Sequence, residues 1–212
     1  MKRALLMLAS SGIALSIFAA ESAQTEDWKL AKQVDGVSIY SRAHPGSKLK
    51  EFKGIGEIDA SSKTVHNVID DVAAYSSFMP YTKECRVIKQ EKDSLITYQR
   101  LSPKIVSDRD YTIRIQKKSW PAENGLAYSN RWEQANEEGP PEQEGVFRVK
   151  LCEGSWLLEP VGPNKTRATY YVFSDSGITV PVFLANTISE TGISKLFAAV
   201  RKQSKETKYQ TK

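Results

Sequence analysis

Between residues 84 and 174 the chain runs through six successive stretches in which apolar and polar side chains alternate with a period of two. Beyond Pro181 the apolar residues recur with a period near 3.6. The six stretches span approximately 84–90, 94–101, 109–118, 126–134, 145–159 and 165–174. Turn sequences such as Lys92-Asp93, Glu123-Asn124-Gly125 and Gly162-Pro163-Asn164 separate several of them. Connections this short join antiparallel strands, whereas a parallel sheet needs helical crossovers that the sequence does not supply. Two more alternating runs precede these, one carrying Val37 and Ile39, the other Phe52, Gly54, Gly56 and Ile58. Between the two groups, Ser61-Ser62 offers a cap to a helix with Val65, Val68, Ile69 and Val72 on one face.

The closing helix carries Ala185, Ile188, Gly192, Ile193, Leu196, Phe197 and Val200 as one apolar stripe, which must be covered. The pattern predicts an α+β domain: a strongly bent antiparallel sheet of about eight strands wrapped around a long C-terminal helix. An internal apolar cavity is expected wherever the two do not meet. Residues 27–32, with Trp28 and Leu30, read as a short amphipathic turn, and 136–143, with Pro140 and Pro141, as the most exposed loop.

The first 22 of the 212 residues have a different grammar. Met1-Lys2-Arg3 is followed by an apolar run from Ala4 to Ala20 and a small-residue exit, the layout of a secretory signal peptide. An uncleaved anchor helix is the alternative, weakened by Ser10, Ser11, Gly12 and Ser16 in a run shorter than a span needs. Export to the periplasm or medium is expected. Loss of Lys2, Arg3 and Glu21 lowers the net charge from +5 to +4 over the 190 residues that remain. In an oxidising compartment Cys85 and Cys152 could close a disulfide or remain two buried thiols, and their separation in sequence does not decide between them. Residues 27–206 then form one domain, and 207–212 read as a basic, frayed tail; the Lys-rich run from Arg201 to Lys212 reads as a solvated helix end, with transient contact to an anionic lipid surface as the alternative. A monomer is expected.

Catalytic chemistry finds few carriers. There are two histidines, His44 in a turn and His66 on the polar side of the first helix, and neither lies beside a nucleophile. No Gly-x-Ser-x-Gly elbow, Cys-x-x-Cys or helical His pair occurs. Gly54-Ile55-Gly56 lacks the third glycine and the following helix of a pyrophosphate cradle. No cofactor and no metal is expected, and the modest charge is no footprint for nucleic acid. The informative residue is Arg109, which shares strand parity with Tyr111, Ile113 and Ile115 and therefore points inward. A buried Arg is costly unless paired. It either reaches the rim or a loop carboxylate, or orients the head group of a ligand in the cavity. By strand parity Tyr98, Tyr111, Ile113, Tyr128, Asn130, Trp132, Phe147, Tyr171 and Phe173 are candidate lining residues, joined by Leu184, Ile188 and Leu196 from the helix. Plain core packing is the competing role for each.

Several segments together resemble the START domain family, related to steroidogenic acute regulatory protein, within the helix-grip superfamily. They are Trp28 with Asp35 to Arg42, Phe78-Met79-Pro80, Pro103 with Val106-Ser107-Asp108-Arg109-Asp110, and Gly177 to Asn186 leading into the last helix. Lys104 stands where the family commonly has an aromatic residue. The resemblance implies a bent sheet gripping the C-terminal helix, and binding or transfer of one lipid or other hydrophobic molecule without catalysis. The same superfamily holds polyketide cyclases and aromatases, an enzymatic alternative in which Arg109, Tyr128 and Asn130 would serve.

Overall fold

A computed structural model of the protein describes residues 28–104, 106–175 and 182–210, with side chains in the last segment from Thr187 onward. The signal-like segment 1–22, the side chain of Leu184 and the last two residues of the tail lie outside the described residues.

The strands are β1 (Lys29–Val34), β2 (Val37–Ala43), β3 (Lys50–Ile58), β4 (Thr82–Gln90), β5 (Ser94–Leu101), β6 (Arg109–Ala122), β7 (Gly125–Gln134), β8 (Phe147–Arg148), β9 (Leu151–Gly162) and β10 (Lys165–Asp175). They form one sheet in the order β1-β2-β3-β10-β9-β7-β6-β5-β4, with β8 beside β6. Helices α1 (Ser62–Asp70) and α2 (Tyr75–Phe78) carry the chain from β3 to the far edge at β4. The long helix α3 (Val182–Gln203) follows β10, and a short α4 (Thr207–Gln210) ends the described chain.

The expected sheet and terminal helix are both present, with more strands than anticipated. The stretch read as a turn at 27–32 is the start of β1, an exposed edge strand paired to β2 through Asp35-Gly36. Both turn residues have left-handed φ, 50° and 68°, as a tight hairpin of this twist requires. The run at 145–159 divides in two. β7 leaves β6 opposite Ile113, so the start of β6 is paired only to β5, and β8 returns to pair Arg109 and Asp110 in parallel on the open side before β9 begins.

The segment 136–143 is not simply an exposed loop. Asn136 accepts a hydrogen bond from the Thr112 amide and donates one to the Val149 carbonyl. Gly139 lies so close to the convex face of the sheet that a Cβ there would meet Thr112 Oγ1 at 1.9 Å. Beyond Pro140 every residue of the segment is exposed, whereas in its first half only Glu137 is.

Ser61 caps α1 by accepting from the Thr64 amide at 3.1 Å, and Val65, Val68 and Ile69 are buried beneath it. His66, expected on the polar side, stacks on Tyr128 with centroids 4.2 Å apart. α3 seats its C-terminal half, Ile193, Phe197 and Val200, directly on β2 and β3. The approach is close because β3 presents glycines. A Cβ on Gly54 would stand 2.6 Å from Ile193 Cγ2, and one on Gly56 would stand 3.1 Å from the Phe197 ring. Arg201 completes the seat by donating to the carbonyls of Asp35, Gly36 and Glu57.

The tail is not frayed at 207–210. Tyr209 is fully buried (0% exposed), its hydroxyl donates to Asp71 at 3.0 Å, and its carbonyl accepts from Asn67. The basic composition of this segment concealed one aromatic anchor.

Gly54→Val should overpack the helix seat and cost about 1–3 kcal/mol, lowering the thermal midpoint by several degrees in a circular-dichroism melt. Tyr209→Ala should cost about 3 kcal/mol in the same assay. An unchanged midpoint would show that the end of the chain contributes nothing to the fold.

Candidate functional site

Where the N-terminal half of α3 and the helices after β3 rise off the concave face, a cavity of about 310 Å³ remains. That is the lower end of the range for small-molecule sites. The sheet contributes Phe52, Gln99, Leu101, Ile115, Cys152, Trp156, Tyr170, Val172 and Ser174. Ile69, Tyr75, Met79, Pro80 and Tyr81 come from the α1–β4 segment, and Ser189, Gly192 and Ile193 from α3. Leu49, Lys50, Thr82 and Pro103 complete the described lining.

Of the candidates read from strand parity, Arg109, Tyr111, Ile113, Asn130 and Trp132 line this cavity, as do Ile188 and Leu196 of those read from the helix. Five others do not. Tyr98 is fully buried on the opposite face, where its hydroxyl donates to Asp110 at 3.0 Å. Tyr171 and Phe173 also face away: Tyr171 donates to Glu153 beside Trp28, and Phe173 stacks on His44 at 3.6 Å. In Tyr170-Tyr171-Val172-Phe173 both faces are apolar, so alternation does not reveal which one is inside, and the inner pair is Tyr170 and Val172. Tyr128 is on the concave face but covered by α1 through His66. Phe147 lies on the short β8, outside the cavity.

Sequence reading missed Tyr75, Met79 and Tyr81, because helix-to-strand connections have no parity to read. It also missed Trp156 and Tyr170, which tilt together at 4.8 Å between centroids. Gly154 carries no side chain on the same face, where a Cβ would lie 2.2 Å from the Trp132 ring. This lets the indole lie across β9.

Polar groups interrupt the apolar lining. The Tyr111 hydroxyl donates to Gln99 at 3.1 Å, and the Tyr75 hydroxyl donates to the Ile69 carbonyl. Burial pushes both hydroxyls well above the ordinary tyrosine value, so they remain protonated donors. Asn130 Oδ1 is buried with no hydrogen-bond partner among the described residues. The same holds for Arg109 Nε and Nη2, and desolvation lowers the Arg109 pKa. Cys85 and Cys152 are free thiols, both pushed up to about 12, chiefly by burial.

The acidic neighbours of Arg109 are committed elsewhere. Asp110, 1% exposed, is on the convex face and receives Arg148 Nε at 2.7 Å and Nη2 at 3.2 Å. Asp108 ties the end of the β5–β6 connection to β4 and β5 by accepting from Ser102, Lys83 and Arg100. Those three hydrogen bonds hold its carboxyl well below the usual aspartate value. Glu51, 3% exposed, accepts from Arg42 and His44.

With this geometry in place, comparison with known proteins is informative. Residues 58–201 match the model of the polyketide cyclase / dehydrase and lipid transport family. A Pseudomonas aeruginosa protein described as uncharacterized is 33% identical over 177 residues, covering 82% of this chain and 86% of its own. Mouse phosphatidylcholine transfer protein is 26% identical over 169 residues, 79% of this chain and 78% of its own. The crystal structure of a STAR-related lipid transfer protein from Xanthomonas axonopodis superposes with a TM-score of 0.74 at 26% identity, covering 84% of this chain and 99% of that one.

Asp108 should stay ionised at about pH 3, below its usual value of 3.8, in a carbon-detected NMR titration. Because its folded value is depressed, its contribution to stability is fully present above the unfolded value. That contribution is lost only as pH falls through the lower folded one. A carboxyl titrating near 3.8 would show that the three hydrogen bonds to Asp108 are not held in solution.

Proposed function

We infer that this chain, which belongs to the polyketide cyclase/dehydrase and lipid transport family and has the START-like helix-grip fold, binds a single lipid in the cavity under α3 and does so without catalysis. The observation that carries the reading is the cavity itself: a concave face of aromatic and aliphatic side chains, with few unpaired polar atoms, enclosed between sheet and helix. Each methylene withdrawn from water contributes about 0.8 kcal/mol, so an acyl chain of about ten carbons supplies about 8 kcal/mol before the costs of ordering. The lipid-transfer names of its relatives point the same way.

The cyclase-like alternative calls for Arg109, Tyr128 and Asn130 to surround one substrate. Tyr128 is behind α1, and Asn130 stands opposite Lys117 on β7, eight residues along β6 from Arg109. The three side chains do not converge on a reacting centre. Export directed by residues 1–22 belongs to the same proposal and is supported by the basic start, the apolar run and the small-residue exit.

Native mass spectrometry of the protein purified from its own host should show one co-purifying lipid per chain. Apoprotein in every preparation, together with no uptake of a fluorescent lipid from vesicles, would overturn the reading.

A further inference from the structure

One wall of the cavity is a row of aromatic rings in contact with one another. Trp132 stands 5.7 Å from Tyr170 between centroids, Tyr170 stands 4.8 Å from Trp156, and Trp156 stands 5.4 Å from Phe197 on α3. Trp132 ends the row on the β7 side, and its pose depends on the neighbouring strand. It is paired with Gly154 in the β7–β9 ladder, where a Cβ would stand 2.2 Å from Cζ2 and 2.6 Å from Cε2 of the indole. The missing side chain lets the largest of all side chains turn sideways over β9 and take up room on the concave face.

That placement bears on how much hydrocarbon the cavity takes. A methylene is close in size to a water molecule, whose share of liquid volume is about 30 Å³, so 310 Å³ holds about ten carbons. The two chains of dioleoylphosphatidylcholine bring about thirty-six, roughly three times as many. Room for more has to come from the wall, because a close-packed interior does not stretch. Phe197 is fixed over Gly54 and Gly56 in the seat of α3, and Trp156 lies against it. Trp132 meets the row only through Tyr170, outside that seat.

We propose that the cavity is specific for lipids with one hydrocarbon chain of medium length, about ten to twelve carbons, and that Trp132, laid across Gly154, is the residue that sets this limit. This rests on the lipid-binding reading above and narrows it to a ligand class. The ligand named for the phosphatidylcholine transfer proteins, to which the chain is similar, carries two chains and falls outside that class.

The test is equilibrium dialysis of the intact protein against lysophosphatidylcholines with one chain of eight, ten, twelve, fourteen or sixteen carbons, each below its micelle concentration. The head group is constant, so chain length alone varies. Each methylene that finds room should tighten binding about fourfold. Affinity should climb in this way to about twelve carbons and then stop rising. After incubation with dioleoylphosphatidylcholine vesicles, native mass spectrometry should find no phosphatidylcholine on the protein. Trp132→Leu, which removes the indole and keeps the wall apolar, should move the break to chains about two carbons longer. Trp132→Phe should move it the same way by less, and it keeps the test decisive if Trp132→Leu does not fold. A purely structural role would instead weaken binding of every chain length alike.

Affinity that keeps climbing to sixteen carbons, or uptake of dioleoylphosphatidylcholine by the unaltered protein, overturns the one-chain limit while leaving lipid binding in place. A break at the same length in the folded variants overturns the assignment to Trp132. Binding of none of these lipids, with no co-purifying lipid, overturns the lipid-binding reading as well.

Discussion

The rest of the architecture depends on α3 lying directly on β3. A helix can approach a sheet this closely only where the strand beneath presents no side chain, and Gly54 and Gly56 provide two such positions on the concave face. Ile193 and Phe197 occupy the space that two Cβ atoms would have filled. Arg201 then fastens the same end of the helix to three backbone carbonyls, two of them in the β1–β2 turn. The cavity lies beside this seat, where Ile188, Ser189, Gly192 and Leu196 of the same helix form part of its wall.

A second constraint operates at the start of β6. Consecutive residues on a strand face opposite ways, so Arg109 and Asp110 cannot both face the cavity. The structure resolves the pair by burying the acid on the convex side, with Arg148 and Tyr98 as its partners. The parallel pairing of β8 brings Arg148 alongside Asp110. What looks like an irregular excursion between β7 and β9 is thus the covering of a buried carboxylate. Once Asp110 is held outside, the basic neighbour is turned inward without an acid to meet it.

Much of this was legible in the sequence, in proportion to how regular the local pattern was. β6 reads plainly because Ile113 and Ile115 are apolar while Thr112, Arg114 and Gln116 are polar, and that contrast correctly turned Arg109, Tyr111 and Ile113 inward. β10 does not, since Tyr170 to Phe173 is apolar on both faces. Its outer face packs against His44 and Trp28, a secondary cluster with the same composition as a core. In β5 Tyr98 was misassigned for a related reason: an aromatic ring is buried there beneath a polar covering contributed about 45 residues later in the chain. Position 209 shows the limit from the other side, because one tyrosine among lysines gives no periodicity and its partner, Asp71, is 138 residues away. Local alternation reports which face is apolar; it does not report what a distant segment lays over that face.

The distribution of fastenings also bears on how a ligand reaches the cavity. The C-terminal half of α3 is held by buried side chains, by Arg201 and by the docked tail, and removing it would expose the core. Its N-terminal half faces the cavity at Ile188 and Gly192, where nothing lies within 4 Å of a Cβ built on the glycine. Lys195 reaches across to the Tyr81 hydroxyl at 3.0 Å, an exposed contact of low worth in water. Tyr81 itself has a left-handed φ of 63°, a conformation costly for a side chain of that size. Local stability is highest where helix and sheet share their glycine seat. The part of α3 that stabilises the fold is thus largely separate from the part, at Ile188 and Gly192, that faces the space beneath the helix.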